Sequence, residues 1–216
     1  MRFDIYRGVF NADLLVGAVP SGELGLPTMF RTQAVPNRLV PFDKCMRAQD
    51  TDRWVHFFIH DYQFARIWRN PWRYLPTLAC YNGVLAPDFS VLWELPLYIQ
   101  IQSIGRSRQF ASWLCQNGLN VIPCIRWGKE DTYPYAFGGV ESGGTVAVGT
   151  AGCMREKESR RVFERGFGPM LETVKPARVV VYGSARSGVF HEAEECGIDI
   201  IAFESDTAKA FGKRSS

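Results

Sequence analysis

The stretch RVVVYGSARSGVFHEAEECGIDIIAFESD, residues 178–206, decides how this chain is read. Arg178–Tyr182 is a nearly continuous apolar run, the pattern of a parallel strand buried on both faces. Gly183-Ser184 turns the chain. Val189–Cys196 reads as a short helix ending at Gly197, and Ile198–Phe203 as the next strand. Strand, helix and strand in this order form a βαβ unit, which demands parallel strands joined by a right-handed crossover.

Working outward, the same rhythm continues towards the N-terminus. Met154–Val174 carries Phe163, Phe167, Met170, Leu171 and Val174 on one helical face, with a kink expected at Gly168-Pro169. Thr145–Val148 and Leu119–Arg126 read as strands, the latter closed by Trp127-Gly128. Pro96–Gln116 is a helix with Pro96 in its first turn and a stop at Asn117-Gly118. Asn82-Gly83 turns into a strand over Val84–Ala86. Trp54–His60 is the first strand, and Tyr62–Leu78 follows as a helix that Pro71 and Pro76 break in two.

The result is a single α/β domain with about six parallel strands and alternating helices across residues 54–206. Residues 1–50 are rich in Gly and Pro and hold no apolar period, so an irregular arm is expected there. Residues 207–216 read as a flexible tail. The sheet is expected to be an incomplete TIM-barrel-like one, with an open doubly wound sheet as the alternative. No dinucleotide fingerprint marks the first strand–helix turn, and polar residues recur at every strand end, as around a barrel mouth. Both architectures put a site at the C-terminal ends of the strands.

The bulk numbers exclude several classes. The chain has 216 residues, 46% hydrophobic and 22% charged, which suits one large globular domain. A net charge of +3 does not by itself imply a polyanion partner. No stretch approaches the roughly 20 apolar residues of a membrane span. Six cysteines stand apart at 45, 80, 115, 124, 153 and 196, with no C-x-x-C pair and no zinc spacing. With no apolar signal core at Met-Arg-Phe-Asp-Ile, they predict a reducing cytoplasm.

The candidate chemistry sits at the strand ends. Asp88 follows a strand and a proline, and Glu204 leaves the last strand. Two carboxylates across a barrel mouth can divide acid, base and nucleophile roles, as in glycosyl transfer. A divalent metal is their alternative use, although a hard ion takes more oxygen ligands than this pair supplies. No cofactor is expected.

Asp61, Arg126, Trp127 and Tyr182 would line the same mouth. Arg126 can clamp a phosphate or carboxylate, or pair with Asp88 or Glu204. Two glycine–hydroxyl loops, Gly149-Thr150-Ala151-Gly152 and Gly183-Ser184-Ala185-Arg186-Ser187-Gly188, run from strands towards helices. Their N–H groups can meet an anion at a helix N-terminus, or simply form tight turns. Asp61, Ser90, Ser184 and Ser205 are also of the types that cap helices. Cys153 reads as a structural cysteine, or as a nucleophile at a helix start with His60 as its base. A separate set, Arg66, Arg69, Arg73, Arg106 and Arg108 with interleaved Trp68, Trp72 and Tyr74, suits nucleic acid or an ordinary solvated helix face.

Several runs together resemble a known family. They are Trp54–Phe64, Ala86-Pro87-Asp88-Phe89-Ser90, Asn120–Pro123 with Arg126-Trp127-Gly128, Thr145–Thr150, and Val181-Tyr182-Gly183-Ser184. The chain is similar over roughly residues 30–206 to the uncharacterised domain of unknown function 4417. The resemblance implies a setting in bacteria, phages and mobile elements and brings no catalytic residues with it. The leading expectation is therefore a small phosphate-bearing or nucleotide-like ligand at the strand ends, with hydrolysis or transfer at a glycosidic or nucleosidic bond. The alternatives are a non-catalytic nucleic-acid-binding or replication-accessory protein, and a protein that sequesters a ligand.

Overall fold

A computed structural model describes residues 9–154 and 156–212, the side chains of residues 211 and 212 excepted. After a 3-10 turn at Ala12–Leu15, a hairpin pairs β1 (Pro20–Ser21) with β2 (Leu26–Pro27). The parallel strands then follow with their connections. They are β3 (Leu39–Pro41), α1 (Phe42–Cys45), β4 (Trp54–His56), α2 (Asp61–Phe64), α3 (Arg66–Arg69), α4 (Leu75–Leu78) and β5 (Gly83–Leu85). Next come α5 (Leu97–Gln116), β6 (Val121–Ile122), α6 (Tyr133–Phe137), β7 (Thr145–Gly149) and α7 (Lys157–Val174). The chain ends in β8 (Arg178–Tyr182), α8 (Gly188–Glu195), β9 (Asp199–Phe203) and α9 (Asp206–Gly212).

Neighbours in sequence are neighbours in space. β3, β4, β5 and β6 form one parallel ladder, and β7, β8 and β9 another. A parallel bridge between Cys124 and Ala147 joins them, with Ala147 N–H donating to Pro123 O at 2.7 Å and Ile125 N–H to Ala147 O at 2.8 Å. The side chains obey the period of two. Val55, Val84, Val121, Val146 and Val179 pack outward with the helices in the main core. Trp54, Leu85, Ile122, Ala147 and Val180 pack inward in a cluster of their own, joined by Leu39, Phe58, Ile201 and Phe203. The sheet curls enough for His56 of β4 to meet Tyr182 of β8, with ring centroids 4.4 Å apart. Among the described residues no ladder joins β9 to β3, so the curled sheet is not a closed barrel.

Four expectations change. The arm is not wholly irregular, because Leu39-Val40-Pro41 pairs in register with Trp54-Val55-His56 and adds a seventh parallel strand. Three residues between prolines carry no period for a pattern to reveal. The expected tail is helical over 207–212. α9 begins at Asp206 and is capped by Ser205, whose Oγ accepts from Ala208 N–H at 3.2 Å. Residues 213–216 lie outside the described residues. The helix over 62–78 is a series of single turns in which Pro71 and Pro76 occupy first-turn positions. The helix expected from Met154 starts at Lys157 and runs through Pro169 to Val174.

His56 shows how the concave face treats polar groups. It is 1% exposed, and its Nδ1 accepts the Phe58 N–H at 3.2 Å. Burial pushes its imidazole down to about 3. The folded state therefore holds it neutral, while the unfolded chain takes a proton below about pH 6.5. Its contribution is complete above that pH and is lost as pH falls towards 3, up to about 5 kcal/mol in all. His56→Phe keeps a ring against Tyr182 but leaves the Phe58 N–H without an acceptor, costing about 1–3 kcal/mol near neutrality. Denaturant unfolding between pH 7 and 4 should show a flatter pH dependence for the variant; equal slopes would contradict this assignment.

Candidate functional site

The C-terminal strand ends open into one cleft of about 1250 Å³. Its lining includes Asp61, Asp88, Arg126, Trp127, Gly149, Thr150, Gly152, Tyr182, Gly183, Ser184 and Glu204. The parallel sheet brings these together because every strand points the same way and each connection leaves from the same edge.

Asp88 and Arg126 stand at its centre. Asp88 follows β5 through Ala86-Pro87 and is 7% exposed. Arg126 follows β6 and reaches Asp88 Oδ2 at 3.6 Å through Nη2, while Nη1 donates to Gly149 O at 3.3 Å. The guanidinium thus ties the ends of three strands. A side chain at 149 would collide with the Phe58 ring, so glycine there lets that ring approach β7. Burial raises the Asp88 carboxyl above its ordinary range, Arg126 pulls it back, and Asp61 pushes it up again. Desolvation wins, because at 3.6 Å the guanidinium does not fully replace the lost water. Arg126, in turn, is held more firmly charged by Asp88.

The other carboxylates play different parts. Asp61 does not cap its own helix; it accepts from Ser90 Oγ at 2.8 Å and Ser90 N–H at 3.2 Å, fastening the end of β4 to the segment after β5. Asp206 pairs with Lys44 at 2.8 Å, a bond from α9 to α1 across the open edge of the sheet. The Asp206 N–H donates to the Tyr182 hydroxyl at 3.1 Å, and the Tyr182 ring stacks on Phe58 with centroids 5.1 Å apart. Glu204 stands exposed on the lip and has no ion-pair partner among the described residues.

The glycine loops mainly bind each other. Thr150 N–H and Ala151 N–H both point at Tyr182 O, at 2.9 and 3.3 Å, and Thr150 Oγ1 donates to Ser184 O at 2.9 Å. Gly183 has φ +120°, and a side chain there would run into Thr150. The α7 N-terminus is also occupied: the Glu156 carboxylate accepts from Glu158 N–H and Ser159 N–H at 2.9 and 2.6 Å. The first loop therefore offers an anion little of what its sequence promised. Ser184 Oγ accepts from Arg186 N–H at 3.3 Å, the local turn expected of it.

Cys153 is not at a helix start, and its thiol lies 3.5 Å from Gly149 O and from Thr150 O. Burial raises its pKa, the opposite of an activated thiolate. His60 is exposed on the lip, stacked on Tyr62. Trp127 is a wall: its Nε1 donates to Val162 O at 3.2 Å and its ring stacks on Phe163.

Some lining residues carried no signal in the sequence reading. Val91, Leu92, Trp93 and Glu94 form one wall from an unassigned segment between strand and helix, and Phe58, Arg186 and Asp206 also line the cleft. With them, among the described residues, the lining holds five carboxylates (Asp61, Asp88, Glu94, Glu204, Asp206) and two guanidinium groups (Arg126, Arg186). Among the described residues no group of three or more His, Cys, Asp or Glu is placed to hold a metal ion.

A family model described as domain of unknown function (DUF4417) matches residues 19–204. The chain belongs to the DUF4417 family. The match runs from the hairpin to Glu204, so the cleft is built almost wholly from DUF4417 sequence. The gene 1 protein of Mycobacterium phage D29 is 31% identical over 132 residues, covering 61% of this chain and 49% of that protein. The gene 1 protein of Mycobacterium phage L5 is 31% identical over 132 residues, covering 61% of this chain and 58% of that protein. The chain thus spans about half the length of these curated relatives. No solved structure gives a significant match.

The arginine set expected to meet nucleic acid lies outside the cleft lining, and of its members Arg66, Arg69 and Arg73 are exposed. Arg66 lies over the Phe42 ring at 5.0 Å and Arg106 over Trp68 at 5.4 Å. Arg108 must be withdrawn from that set: it is 5% exposed, donates to Ala136 O at 3.0 Å, and is pushed down to about 10 by burial. No helix among the described residues is long and apolar enough to cross a membrane.

The Asp88–Arg126 pair can be tested through stability. Arg126→Met removes the group that lowers the Asp88 pKa, so the carboxyl rises further. At pH 7 the variant should lose about 3–5 kcal/mol, because a buried carboxylate is left without its partner. The loss should be smaller at pH 4.5 than at pH 7, because protonation relieves an unpaired buried carboxylate. Urea unfolding at the two pH values measures both; a loss independent of pH would mean that Arg126 acts by packing alone.

Proposed function

We propose that the cleft binds a nucleoside- or nucleotide-like ligand and that Asp88 acts there as a general acid at a glycosidic or nucleosidic bond. The observation that carries this is a carboxyl shielded from bulk water, raised by desolvation, and facing a cleft large enough for such a ligand. A raised carboxyl keeps a proton to give to a leaving base or sugar oxygen. Glu204, on the lip, is the second carboxylate, stabilising positive charge on the sugar or activating water. Phe58, Trp93 and Tyr182 also line the cleft and give it aromatic surface for a base or sugar.

The charge of the lining refines the ligand. Five carboxylates disfavour a polyphosphate, so a single phosphate near Arg126 or Arg186 is the most the site suits. The incomplete-barrel reading of the sheet accompanies this proposal. It is supported by the inner cluster drawn from β3 to β9, and it would make the cleft a barrel mouth. The nucleic-acid alternative has less support, since Arg108 is buried and Arg66 and Arg106 lie over rings.

The test is a thermal-shift screen of nucleosides, nucleoside monophosphates and glycosides, followed by chromatography of each stabilising compound for bond cleavage. A ligand at about 100 times its dissociation constant adds roughly 2.7 kcal/mol, or several degrees. Asp88→Asn should lower turnover roughly 10²–10⁴-fold with the fold retained. Binding without turnover would reduce the proposal to ligand capture. No stabilisation by any compound, or full activity in Asp88→Asn, would refute it.

A further inference from the structure

Arg126 also lines a second cavity, of about 20 Å³, which it shares with Arg108, Ser103, Ser107 and Cys124. That volume admits one water-sized sphere and excludes a tetrahedral oxyanion. No acidic residue lines it. Arg126 brings its own counter-charge, Asp88. Arg108 does not: it is 5% exposed, makes one hydrogen bond, to Ala136 O at 3.0 Å, and has no carboxylate within ion-pair distance among the described residues. A buried guanidinium carries five N–H donors and a charge whose desolvation calls for a partner.

The rest of the wall is half apolar, from Pro87, Phe89, Val91, Ile104 and Ala136, and half polar. Burial raises the Cys124 thiol well above its usual value and keeps it a proton donor. The Ser103 hydroxyl can donate as well. The Ser107 proton is committed to Pro87 O. The polar part of the wall thus offers donors and positive charge, and among the described residues no carboxylate lines the cavity.

We propose that this cavity is a site for a small monatomic anion of chloride size, held by Arg108 and lying beside Arg126. The cavity shares Arg126 and Val91 with the cleft, but its occupancy is read from stability and is tested without any cleft ligand.

The experiment is thermal unfolding of the whole protein in sodium chloride, bromide, sulfate and gluconate at equal ionic strength and pH. Chloride and bromide should raise the midpoint saturably, by about 2–4 °C over gluconate, whereas any rise in sulfate should grow with concentration without saturating, as for an excluded salt. In Arg108→Met the halide gain should vanish. Should that variant fail to fold, bromide-soaked crystals of the unaltered protein decide, with an anomalous peak expected in the cavity next to Arg108. Equal midpoints in chloride and gluconate, a halide gain that persists in Arg108→Met, or a cavity holding no bromide would each overturn the proposal.

Discussion

The alternation of side chains along the parallel strands is the constraint on which the rest depends. Each strand sends one residue to the helices and the next to the concave face. The concave face must therefore be filled by one inward residue per rung, and the sizes have to match. Trp54 pairs in register with Gly83, and its ring lies where a side chain at 83 would stand. Leu85, Ile122, Ala147 and Val180 complete the layer. Above it, His56, Phe58 and Tyr182 form an aromatic second layer. Only beyond these rings does the face become polar, and there the cleft opens.

This layering explains why Asp88 and Arg126 behave as they do. They stand on a floor of rings, at the ends of strands that hold them still. The guanidinium is shared between a carboxylate and the Gly149 carbonyl, so it compensates Asp88 without clamping it. A carboxyl in that position holds its proton to a higher pH than an exposed aspartate does. The hydrogen bonds of Thr150, Ala151 and Glu156 work the other way. They are consumed within the protein and fix the loops around the pair.

Much of the fold was legible in the sequence because its strongest signals are local. Arg178–Tyr182 and Thr145–Val148 announce buried parallel strands, and α5 and α7 show as long helices. The convergence of strand-end residues followed from topology alone, since parallel strands share one edge. What the sequence hid is set by tertiary contact. β3 is three residues long and is a strand only because β4 pairs with it. The N–H groups of the first glycine loop look free in sequence and are taken up by Tyr182 O, which is 31 and 32 residues away in the chain. Arg108 reads as one more helix-surface cation until Ala136 and the second cavity enclose it. The wall formed by Val91–Glu94 has no period, so nothing in its pattern distinguishes it from a loop.

The central claim is that Asp88 is a buried acid whose carboxyl is raised above its ordinary range by desolvation. The most direct measurement is a carbon-13 NMR titration of the Asp88 carboxyl in the unliganded protein, assigned against Asp88→Asn. The account predicts a midpoint above the ordinary aspartate value of about 3.9. A midpoint at or below that value would show a fully compensated ion pair, and would contradict the role of Asp88 as a proton donor.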